Sequence, residues 1–313
     1  MIDIVCNIDD NFVKYCSVML ASLFTNNKKN KFHIHIITDR LSEESQKVLR
    51  NFIEEEYGNH LSIYSIDKEI KNKYLNIDMK GSHISIATFY RCFTASILPC
   101  SIKKALYLDC DIFVNGSIEE LWEIDINEYA AGVVEDQWSN IKEYYSRLAY
   151  PESYCYFNAG VMLINLDYWR KHNIEEKIME YISKYPERLV LNDQDVLNAV
   201  LYKEKLFIPY RWNMQDGFYR RRRKVRSTTI PELDKELNKG IIIHFTGSKK
   251  PWDKKSMHPL RKLYYKYIDL TPWKGERVNA GLILRINKVL LIIQGYLGLK
   301  NAYRNIKIKD YGL

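Results

Sequence analysis

Two carboxylates stand one residue apart inside an apolar run. Asp109 and Asp111 interrupt the stretch from Ala105 to Val114, which otherwise predicts a buried strand, where a lone charge is costly unless it is paired or bound to a metal. In an extended chain residues i and i+2 point to the same side, so both carboxylates can converge on one cation at the strand end. Such oxygen ligands suit Mg²⁺ or Mn²⁺, ions that commonly hold nucleotide phosphates. The alternative is an aspartate pair that caps a turn.

A late strand supplies a second set of polar residues. The run from Gly240 ends at His244 and is followed by Gly247 and Lys250. A strand-end imidazole can complete a metal site begun by two carboxylates, and Lys250 can neutralise a diphosphate held by that metal. The other histidines have no comparable neighbours in the sequence and are predicted to be structural or surface residues: His33, His35, His60, His83, His172 and His258.

Three further polar positions lie at the ends of predicted elements. Arg91 stands among apolar residues, where it can clamp a phosphate or form an ordinary ion pair. Asn158 lies at the mouth of a buried strand and can bond a sugar hydroxyl, while Gly160 lets a ligand approach the backbone. Asp193 at a helix start is most simply an N-cap.

Alternating strands and helices must position these residues. Strands are predicted at 2–8, 32–37, 61–66, 130–134 and 154–165, and helices at 9–24, 43–56 and 167–185, with another apolar helix ending near Pro99. This alternation favours an α/β fold with a largely parallel sheet. Ligands bind at the carboxyl ends of the strands in such sheets, which is where Asp9 and the Asp109/Asp111 pair fall. Neither G-x-G-x-x-G nor G-x-x-x-x-G-K-[ST] occurs, so dinucleotide-binding and P-loop proteins are disfavoured.

Composition and charge narrow the class of protein. The 313 residues are 46% hydrophobic, enough for one large core and a small appendage. Six cysteines show no C-x-x-C pair, which favours free thiols in a reducing compartment, and the N-terminus is predicted to be a strand rather than a signal peptide. The net charge of +8 is concentrated in residues 219–226 and 277–313, leaving the remainder net negative. This distribution disfavours a nucleic-acid binder and suits contact with an anionic membrane.

The C-terminal segment has a composition of its own. Residues 279–299 are strongly apolar but are interrupted by Arg285, Lys288 and Gln294, which favours an interfacial amphipathic helix with a basic flank over a spanning helix. A helix packed on its own domain or in a dimer is the alternative. The basic loop 220–223 can reinforce the membrane contact, grip an anionic acceptor, or simply be solvated.

Taken together, these motifs resemble those of glycosyltransferase family 8, and most closely its lipooligosaccharide α-galactosyltransferases. The resemblance covers roughly residues 1–270 and rests on five separated motifs in the family's order: Asp9-Asp10-Asn11, His83-Ile-Ser-Ile with Arg91, Leu108-Asp109-Cys110-Asp111, Phe157-Asn158-Ala-Gly160 with Asn165, and Asn192-Asp193-Gln194-Asp195 followed by His244-Phe-Thr-Gly247 and Lys250-Pro-Trp252. It implies a GT-A (Rossmann-like) domain at 1–273 and a membrane-association segment at 274–313. Departures from the family pattern are Asn7-Ile8, Cys110, Thr246 and Ser248.

The resemblance also implies roles for individual residues. Asp109, Asp111 and His244 would hold Mn²⁺, with Mg²⁺ as a substitute. The donor UDP-sugar would be bound by Asp9 and Asn11 at the uridine, by Gly247 and Lys250 at the diphosphate, and by Arg91, Asn158, Asp193 and Gln194 at the phosphate and sugar. Gln194, Asp193 and Lys250 would be the catalytic residues.

The implied reaction is retaining transfer of galactose or glucose from a UDP-sugar to a surface glycan such as lipopolysaccharide. The acceptor would be lipid-linked, and the enzyme would rest on the inner face of the cell membrane from the cytoplasm, with no nucleic-acid partner. Two other functions stay open. One is a degenerate, membrane-bound scaffold; the other is a nucleotidyltransferase that uses the same acidic pair, although its usual glycine-rich N-terminal loop does not occur.

Overall fold

The computed structural model describes residues 1–66, 86–278, 282–304, 306–307 and 311. His83 lies outside these ranges. Ten strands occur within them: β1 Ile2–Asn7, β2 Phe32–Thr38, β3 His60–Ser65, β4 Lys104–Leu108, β5 Ile112–Val114, β6 Ala131–Glu135, β7 Phe157–Asn165, β8 Lys205–Phe207, β9 Met214–Gln215 and β10 Ile242–His244.

Eleven α-helices lie in the same part of the chain. They are α1 Val13–Asn26, α2 Glu43–Arg50, α3 Thr94–Ile97, α4 Glu119–Trp122, α5 Lys142–Leu148, α6 Leu166–Lys171, α7 Ile174–Lys184, α8 Asn192–Leu201, α9 Ile230–Glu236, α10 Lys262–Ile268 and α11 Leu282–Tyr296. Short 3₁₀ segments join several of them, the longest at Ile86–Phe93.

Seven strands form one twisted sheet in the order β3-β2-β1-β4-β7-β6-β8. The first four run parallel, β7 is antiparallel to both of its neighbours, and β6 pairs with β8 in parallel. A three-stranded sheet, β5-β10-β9, lies beside it. The predicted α/β class with a mostly parallel sheet is confirmed, and the carboxyl ends of β1 and β4 meet at one edge.

Apolar side chains cover both faces of the large sheet. Ile4 and Ile34 face α1 in one buried cluster, whereas Val5 and Met162 belong to a second cluster with Trp169 from α6. Strands buried on both faces are expected in parallel sheets with helices on each side. Burial of these side chains fixes the register of β1 and β4, since a slip of one residue would exchange the two faces.

Three predicted elements are divided in the structure. The run 105–114 is not one strand: β4 ends before Asp109 and β5 starts after Asp111, because the intervening residues turn the chain from one sheet into the other. The helix predicted at 167–185 is broken at Asn173, whose φ is 51°, a left-handed conformation that asparagine tolerates. The second half of the predicted helix 43–56 is a π-helical segment at Asn51–Glu56.

The C-terminal segment folds back on the body of the protein. After α11 the backbone of Ala302 accepts a hydrogen bond from the Arg221 amide, and that of Tyr219 accepts one from the Arg304 amide. Tyr311 is 1% exposed, and its hydroxyl donates to the Leu237 carbonyl at 2.6 Å. The boundary at residue 273 stays a prediction, but the residues beyond it complete part of the core.

The basic loop serves this packing. Arg220 contacts Asp216 and the Tyr303 hydroxyl, and the Arg223 side chain, only 4% exposed, pairs with Asp234 at 2.7 Å. Arg220 therefore joins the loop to the C-terminal segment, whereas Arg223 joins the loop to α9. Arginine suits such contacts because its planar group donates in several directions.

Lys205 on β8 predicts a pH-dependent stability change. Burial lowers the pKa of its ammonium from the ordinary 10.5 to about 7. Between these two pH values Lys205 is protonated in the unfolded chain but mostly neutral in the folded protein. The free energy of unfolding therefore falls as the pH falls through this range. We expect Lys205→Met to raise the free energy of unfolding by about 2 kcal/mol at pH 6.5, and by less at pH 9.5. Urea denaturation at both values measures this difference. The exposed Lys203→Met is the control, and an equal gain in both variants would contradict the burial argument.

Candidate active site

Two short strands bring His244 beside the acidic pair. β10 runs antiparallel to β5 with His244 opposite Ile112, the residue after Asp111. His244 Nε2 lies 3.2 Å from Asp111 Oδ1 and 3.8 Å from Asp109 Oδ2, and one ligand atom from each residue falls within 4.8 Å of the others. The three predicted metal ligands therefore converge, although through a turn between two sheets rather than along one strand.

Asparagines orient the imidazole. His244 Nδ1 lies 3.0 Å from Asn213 Oδ1, and Asn213 Nδ2 donates to Asn158 Oδ1 at 2.9 Å. Because Asn213 accepts with this oxygen, Nδ1 carries the proton and Nε2 presents its lone pair to the carboxylates. Partners of this kind fix the tautomer of metal-binding histidines.

Gly160 on β7 leaves the space that His244 occupies. A methyl group at this position would lie 2.2 Å from His244 Cε1 and 2.7 Å from Asp109 Oδ2. Only glycine allows the imidazole and the carboxylate to lie this close to the strand. The sequence-based role of Gly160 was ligand access; the structure shows that it makes room for two of the three candidate metal ligands.

Arg91 joins the acidic pair to α8. Its Nη2 lies 2.9 Å from Asp109 Oδ1 and its Nε 2.8 Å from Asp193 Oδ2, while Nη1 donates to the Ala159 carbonyl at 3.0 Å. The ion-pair alternative is therefore the one observed for Arg91. The N-cap interpretation of Asp193 is wrong, because the residue at the cap is Leu191 with no side-chain bond and the carboxylate faces Arg91 instead.

Burial and charge oppose each other at these carboxylates. Burial raises the pKa of Asp193 to about 6, against the lowering effect of Arg91. Burial also acts to raise the pKa of Asp111, but His244 and Lys250 outweigh it and hold that pKa below its usual value. Lys250 Nζ lies 2.5 Å from Asp111 Oδ2. Asp111 therefore stays ionised, as a metal ligand must.

Gln194 lies in an amide network behind the metal cluster. Its Oε1 accepts from Asn158 Nδ2 and from the Ala159 amide, both at 3.1 Å, and its Nε2 donates to Asp136 Oδ2 at 3.4 Å. Asp136 is 2% exposed and also accepts from Asn158. The predicted pair Asn158 and Gln194 is thus in direct contact, with both side chains fixed.

A cleft of about 630 Å³ opens beside the metal cluster, within the size range of small-molecule sites. Its lining includes the predicted residues Asp9, Arg91, Asp109, Asp111 and Lys250, together with Asn7, Ile8, Phe12, Tyr15, Tyr90, Tyr107, Cys110 and Trp252. The rings of Tyr15 and Trp252 stack at 4.0 Å, and Phe12 is 44% exposed. Apolar ring faces next to ionised groups suit a nucleotide, whose base is flat and whose phosphates are charged.

Some predicted residues lie away from the cleft lining. Asn11 donates its amide to Asp9 Oδ1 at 2.9 Å in the turn that precedes α1, and Gly247 lies against Asp216. A cavity of similar volume, about 640 Å³, lies near Lys104 and Asp125 but includes none of the metal cluster. We assign the candidate active site to the cleft because its lining contains the predicted ligands, since its volume is no larger than that of the other cavity.

The sequence-based reading missed several residues of this site. Asp136 and Asn213 belong to no motif, yet each bonds a predicted residue; Tyr107 donates to Asp109 Oδ1 at 2.9 Å. Asp136 follows a buried strand, as Asp109 does, and that signal could have identified it. Three of the histidines predicted to be structural or surface residues also have acidic partners, since His33 and His35 lie beside Asp3 and His258 lies 3.9 Å from Asp216.

The cluster fits a divalent cation of the predicted kind. Two carboxylates and one imidazole match the ligand preferences of Mn²⁺, and Gly160 shows that space is kept for their approach. Lys250 touches the candidate metal ligand Asp111, and its side chain is 31% exposed, so it can reach a phosphate in the cleft. The described residues can therefore hold both a metal ion and the anion that it binds.

Comparison with known proteins decides the family. The sequence profile described as Glycosyl transferase family 8 matches residues 3–256. The chain belongs to glycosyltransferase family 8. Bacillus subtilis general stress protein A is 32% identical and aligns over 85% of this chain and 92% of its own length. Salmonella typhimurium lipopolysaccharide 1,3-galactosyltransferase is 30% identical over 87% of this chain and 79% of its own length.

A solved structure of the galactosyltransferase LgtC with donor and acceptor sugar analogues shares the fold. It superimposes with a TM-score of 0.72 and 24% identity, covering 92% of this chain and all of that chain. The α/β GT-A-like glycosyltransferase fold with a mostly parallel sheet, as the family resemblance implied, is confirmed. The resemblance stated from separated motifs is confirmed as well.

Proposed function

We propose that this family 8 protein is a metal-dependent retaining hexosyltransferase. It moves galactose or glucose from a UDP-sugar to a glycan acceptor of the lipopolysaccharide type, using Mn²⁺, with Mg²⁺ as a substitute. The observation that carries the proposal is the convergence of Asp109, Asp111 and His244 at the edge of an aromatic, partly charged cleft. The names of the Salmonella relative and of other lipopolysaccharide hexosyltransferases among the matches support this acceptor class.

Donor binding follows from the cleft. Asp9 and the stacked rings of Tyr15 and Trp252 suit the uridine, and Lys250 at the cleft lining would bind the diphosphate. The role of Gly247 at the diphosphate stays a prediction from the family resemblance. Asp109, Asp111 and His244 would hold Mn²⁺, which would supply Lewis-acid assistance to the departing diphosphate. Lys250 exchanges its contact with Asp111 for one with phosphate, and Arg91, fixed between Asp109 and Asp193, keeps the ligand carboxylate oriented.

Transfer with retention requires the acceptor to reach the face of the sugar that UDP leaves. In the proposed front-face step the bond from sugar C1 to the β-phosphate oxygen breaks, and the acceptor oxygen bonds to C1. The acceptor proton passes to the departing phosphate oxygen. Gln194 is a neutral amide and a weak nucleophile, so its role is to stabilise the positive charge that develops on the sugar. A covalent glycosyl adduct trapped on Gln194 or Asp193 would contradict this step.

Replacing Gln194 tests its role. We expect Gln194→Ala to lower kcat about 100-fold with little change in the KM for donor, because the amide acts on charge that develops only in the transition state. Initial rates at saturating donor measure both constants. Gln46→Ala on α2 is the matched control, and a rise in KM with unchanged kcat would assign Gln194 to ground-state binding instead.

The C-terminal helix supports a proposed membrane contact. Exposed apolar side chains of α11 include Ile286, Val289, Leu290 and Ile293, each about half exposed, and the exposed basic residue Lys300 follows. None of the described helices meets the length and hydropathy needed to span a bilayer. We propose that α11 lies in the interface of the cytoplasmic leaflet, where a lipid-linked acceptor is presented.

Vesicle binding tests the role of α11. We expect the protein to bind vesicles containing phosphatidylglycerol more tightly than neutral ones, and Val289→Ser/Ile293→Ser to weaken that binding about tenfold or more, since both apolar side chains enter the lipid. Co-sedimentation measures the affinity, and Val190→Ser, at an apolar residue that is also exposed but lies outside α11, is the control. If the double variant and the control bound vesicles equally, and a concentration-dependent dimer were lost only in the double variant, α11 would instead form an interface between two copies of the protein.

The donor experiment tests the whole proposal. Full-length protein is incubated with a panel of UDP-sugars and Mn²⁺, with and without a chelator, and UDP release is measured. Chelator-sensitive release from one hexose donor would support the transferase and name its sugar. Release of pyrophosphate from a sugar phosphate and a nucleotide would favour the nucleotidyltransferase. No release of UDP from any donor, together with no binding of UDP, would favour the scaffold.

A further inference from the structure

A second group of side chains of the types that bind metals lies at the opposite end of β1. One ligand atom each from Asp3, His33 and His35 falls within 4.8 Å of the others. The register of β1 and β2 produces this group, because Asp3 pairs with His33 and Val5 with His35. The three side chains share the sheet face to which Val5 also points. The site is unrelated to the cleft, so the inference does not depend on the proposed function.

The distances match those of a small coordination sphere. His35 Nε2 lies 2.9 Å and His33 Nδ1 lies 3.7 Å from Asp3 Oδ1. Tetrahedral zinc with ligands at about 2.0–2.1 Å places neighbouring ligand atoms about 3.3 Å apart. The two observed distances bracket this value, so small side-chain rotations bring all three atoms to one ion.

The far nitrogen of each imidazole already has a hydroxyl partner. His33 Nε2 lies 2.8 Å from Ser62 Oγ, and His35 Nδ1 lies 3.1 Å from the Tyr64 hydroxyl oxygen. Hydrogen bonds of this kind orient metal-binding histidines and fix their tautomer. They leave His33 Nδ1 and His35 Nε2 turned towards the same carboxylate. Without a metal ion, a proton on His35 Nε2 can form a hydrogen bond with Asp3. That proton does not serve the second contact, in which His33 Nδ1 faces the same carboxylate.

We propose that Asp3, His33 and His35 form a binding site for Zn²⁺ or a chemically similar divalent transition ion. Two imidazoles and one carboxylate are the ligands that such ions prefer, whereas Mg²⁺ and Ca²⁺ prefer oxygen alone. The His35 side chain is fully buried, but those of His33 and Asp3 are 23% and 18% exposed. The ion is therefore reached from solvent, and water completes its coordination.

The bound ion ties β1 to β2 rather than taking part in the reaction. Asp3 precedes Asn7 of the cleft by four residues, about 13 Å along a strand. Occupancy stabilises the folded protein, because the unfolded chain does not hold the three side chains together. Transfer activity is expected to be unchanged when this site is removed.

The experiment must separate the two metal sites. Asp109→Asn/Asp111→Asn removes the carboxylates of the cleft, and this full-length variant is stripped of metal and titrated with Zn²⁺ by calorimetry. We expect one equivalent to bind. Adding Asp3→Asn, which keeps the shape of the side chain, should weaken binding at least about tenfold, as should adding His33→Gln. Adding His172→Gln, an exposed histidine elsewhere, is the control and should leave the affinity unchanged.

Crystals soaked in Zn²⁺ locate the ion. An anomalous difference peak between Asp3, His33 and His35, together with the loss of affinity in both variants, would establish the site. Circular dichroism and the thermal midpoint of each metal-free variant show whether it is folded. Unchanged Zn²⁺ affinity in the folded Asp3→Asn and His33→Gln variants, or no binding to the parent variant, would overturn the proposal.

Discussion

Asp111→Asn is expected to lower kcat/KM for transfer by about 1,000-fold, a loss of about 4 kcal/mol in transition-state stabilisation. The carboxylate touches both His244 and Lys250, so its loss removes a metal ligand and releases the candidate phosphate lysine. The remaining activity should no longer depend on Mn²⁺ concentration. Rates over a Mn²⁺ titration at fixed donor measure both effects.

The same chemical change at an exposed aspartate provides the control for Asp111. Asp125 accepts a hydrogen bond from the Asn127 amide within its own turn and does not line the cleft, so Asp125→Asn should retain full rate and full Mn²⁺ response. Thermal midpoints of both variants show whether they are folded. A folded Asp111→Asn variant with unchanged metal dependence would mean that Asp111 is not a metal ligand.

Gly160→Ala is expected to lower kcat/KM for transfer by about 1,000-fold as well, although glycine has no side chain that could take part in the reaction. The added methyl group overlaps His244 Cε1 and contacts Asp109 Oδ2, and His244 cannot retreat because Asn213 holds Nδ1 from behind. Overpacking should also lower the free energy of unfolding by about 2 kcal/mol. Metal titration and urea denaturation of one preparation separate the two effects.

Gly116→Ala is the matched control for Gly160. Its added methyl group would make ordinary contact with Ile241 Cγ2 at 3.4 Å, so we expect a change in stability below about 0.5 kcal/mol and no change in activity. Retention of metal-dependent activity in Gly160→Ala would show that the imidazole has another position available, and would weaken the assignment of His244 as a ligand.

Some residues of the candidate site could be recognised from the sequence around them, and others could not. Asp109, Asp111 and His244 each end or follow an apolar strand, and strand ends gather at one edge of an α/β sheet, so their convergence was predictable. Asp136 also follows an apolar strand, but its contacts with Asn158 and Gln194 depend on the fold. Asn213 has no signal of its own and acts through His244 and Asn158. No periodicity or spacing encodes such contacts, and only the three-dimensional arrangement reveals them.

The fold was predictable where hydrophobic patterns are long. β1, β2 and α1 appear close to their predicted bounds, since each has an apolar face that a neighbour must cover. The run from Ala105 to Val114 was not predictable as two strands, because the switch between sheets depends on pairing with β10. Asp193 was assigned to a cap for a similar reason: the local pattern is that of a helix start, but Arg91, far away in sequence, is its partner.

The packing of Tyr311 has a consequence for biosynthesis. Its hydroxyl lies 3.4 Å from the Tyr219 hydroxyl and donates to the Leu237 carbonyl, and both of these residues emerge from the ribosome well before Tyr311 does. Domains begin to fold from the N-terminal side during synthesis, so the seven-stranded sheet can assemble while this corner of the core is still open to solvent. A nascent chain arrested before residue 303 would expose buried tyrosines, and chaperones and proteases would meet it as an incompletely folded protein.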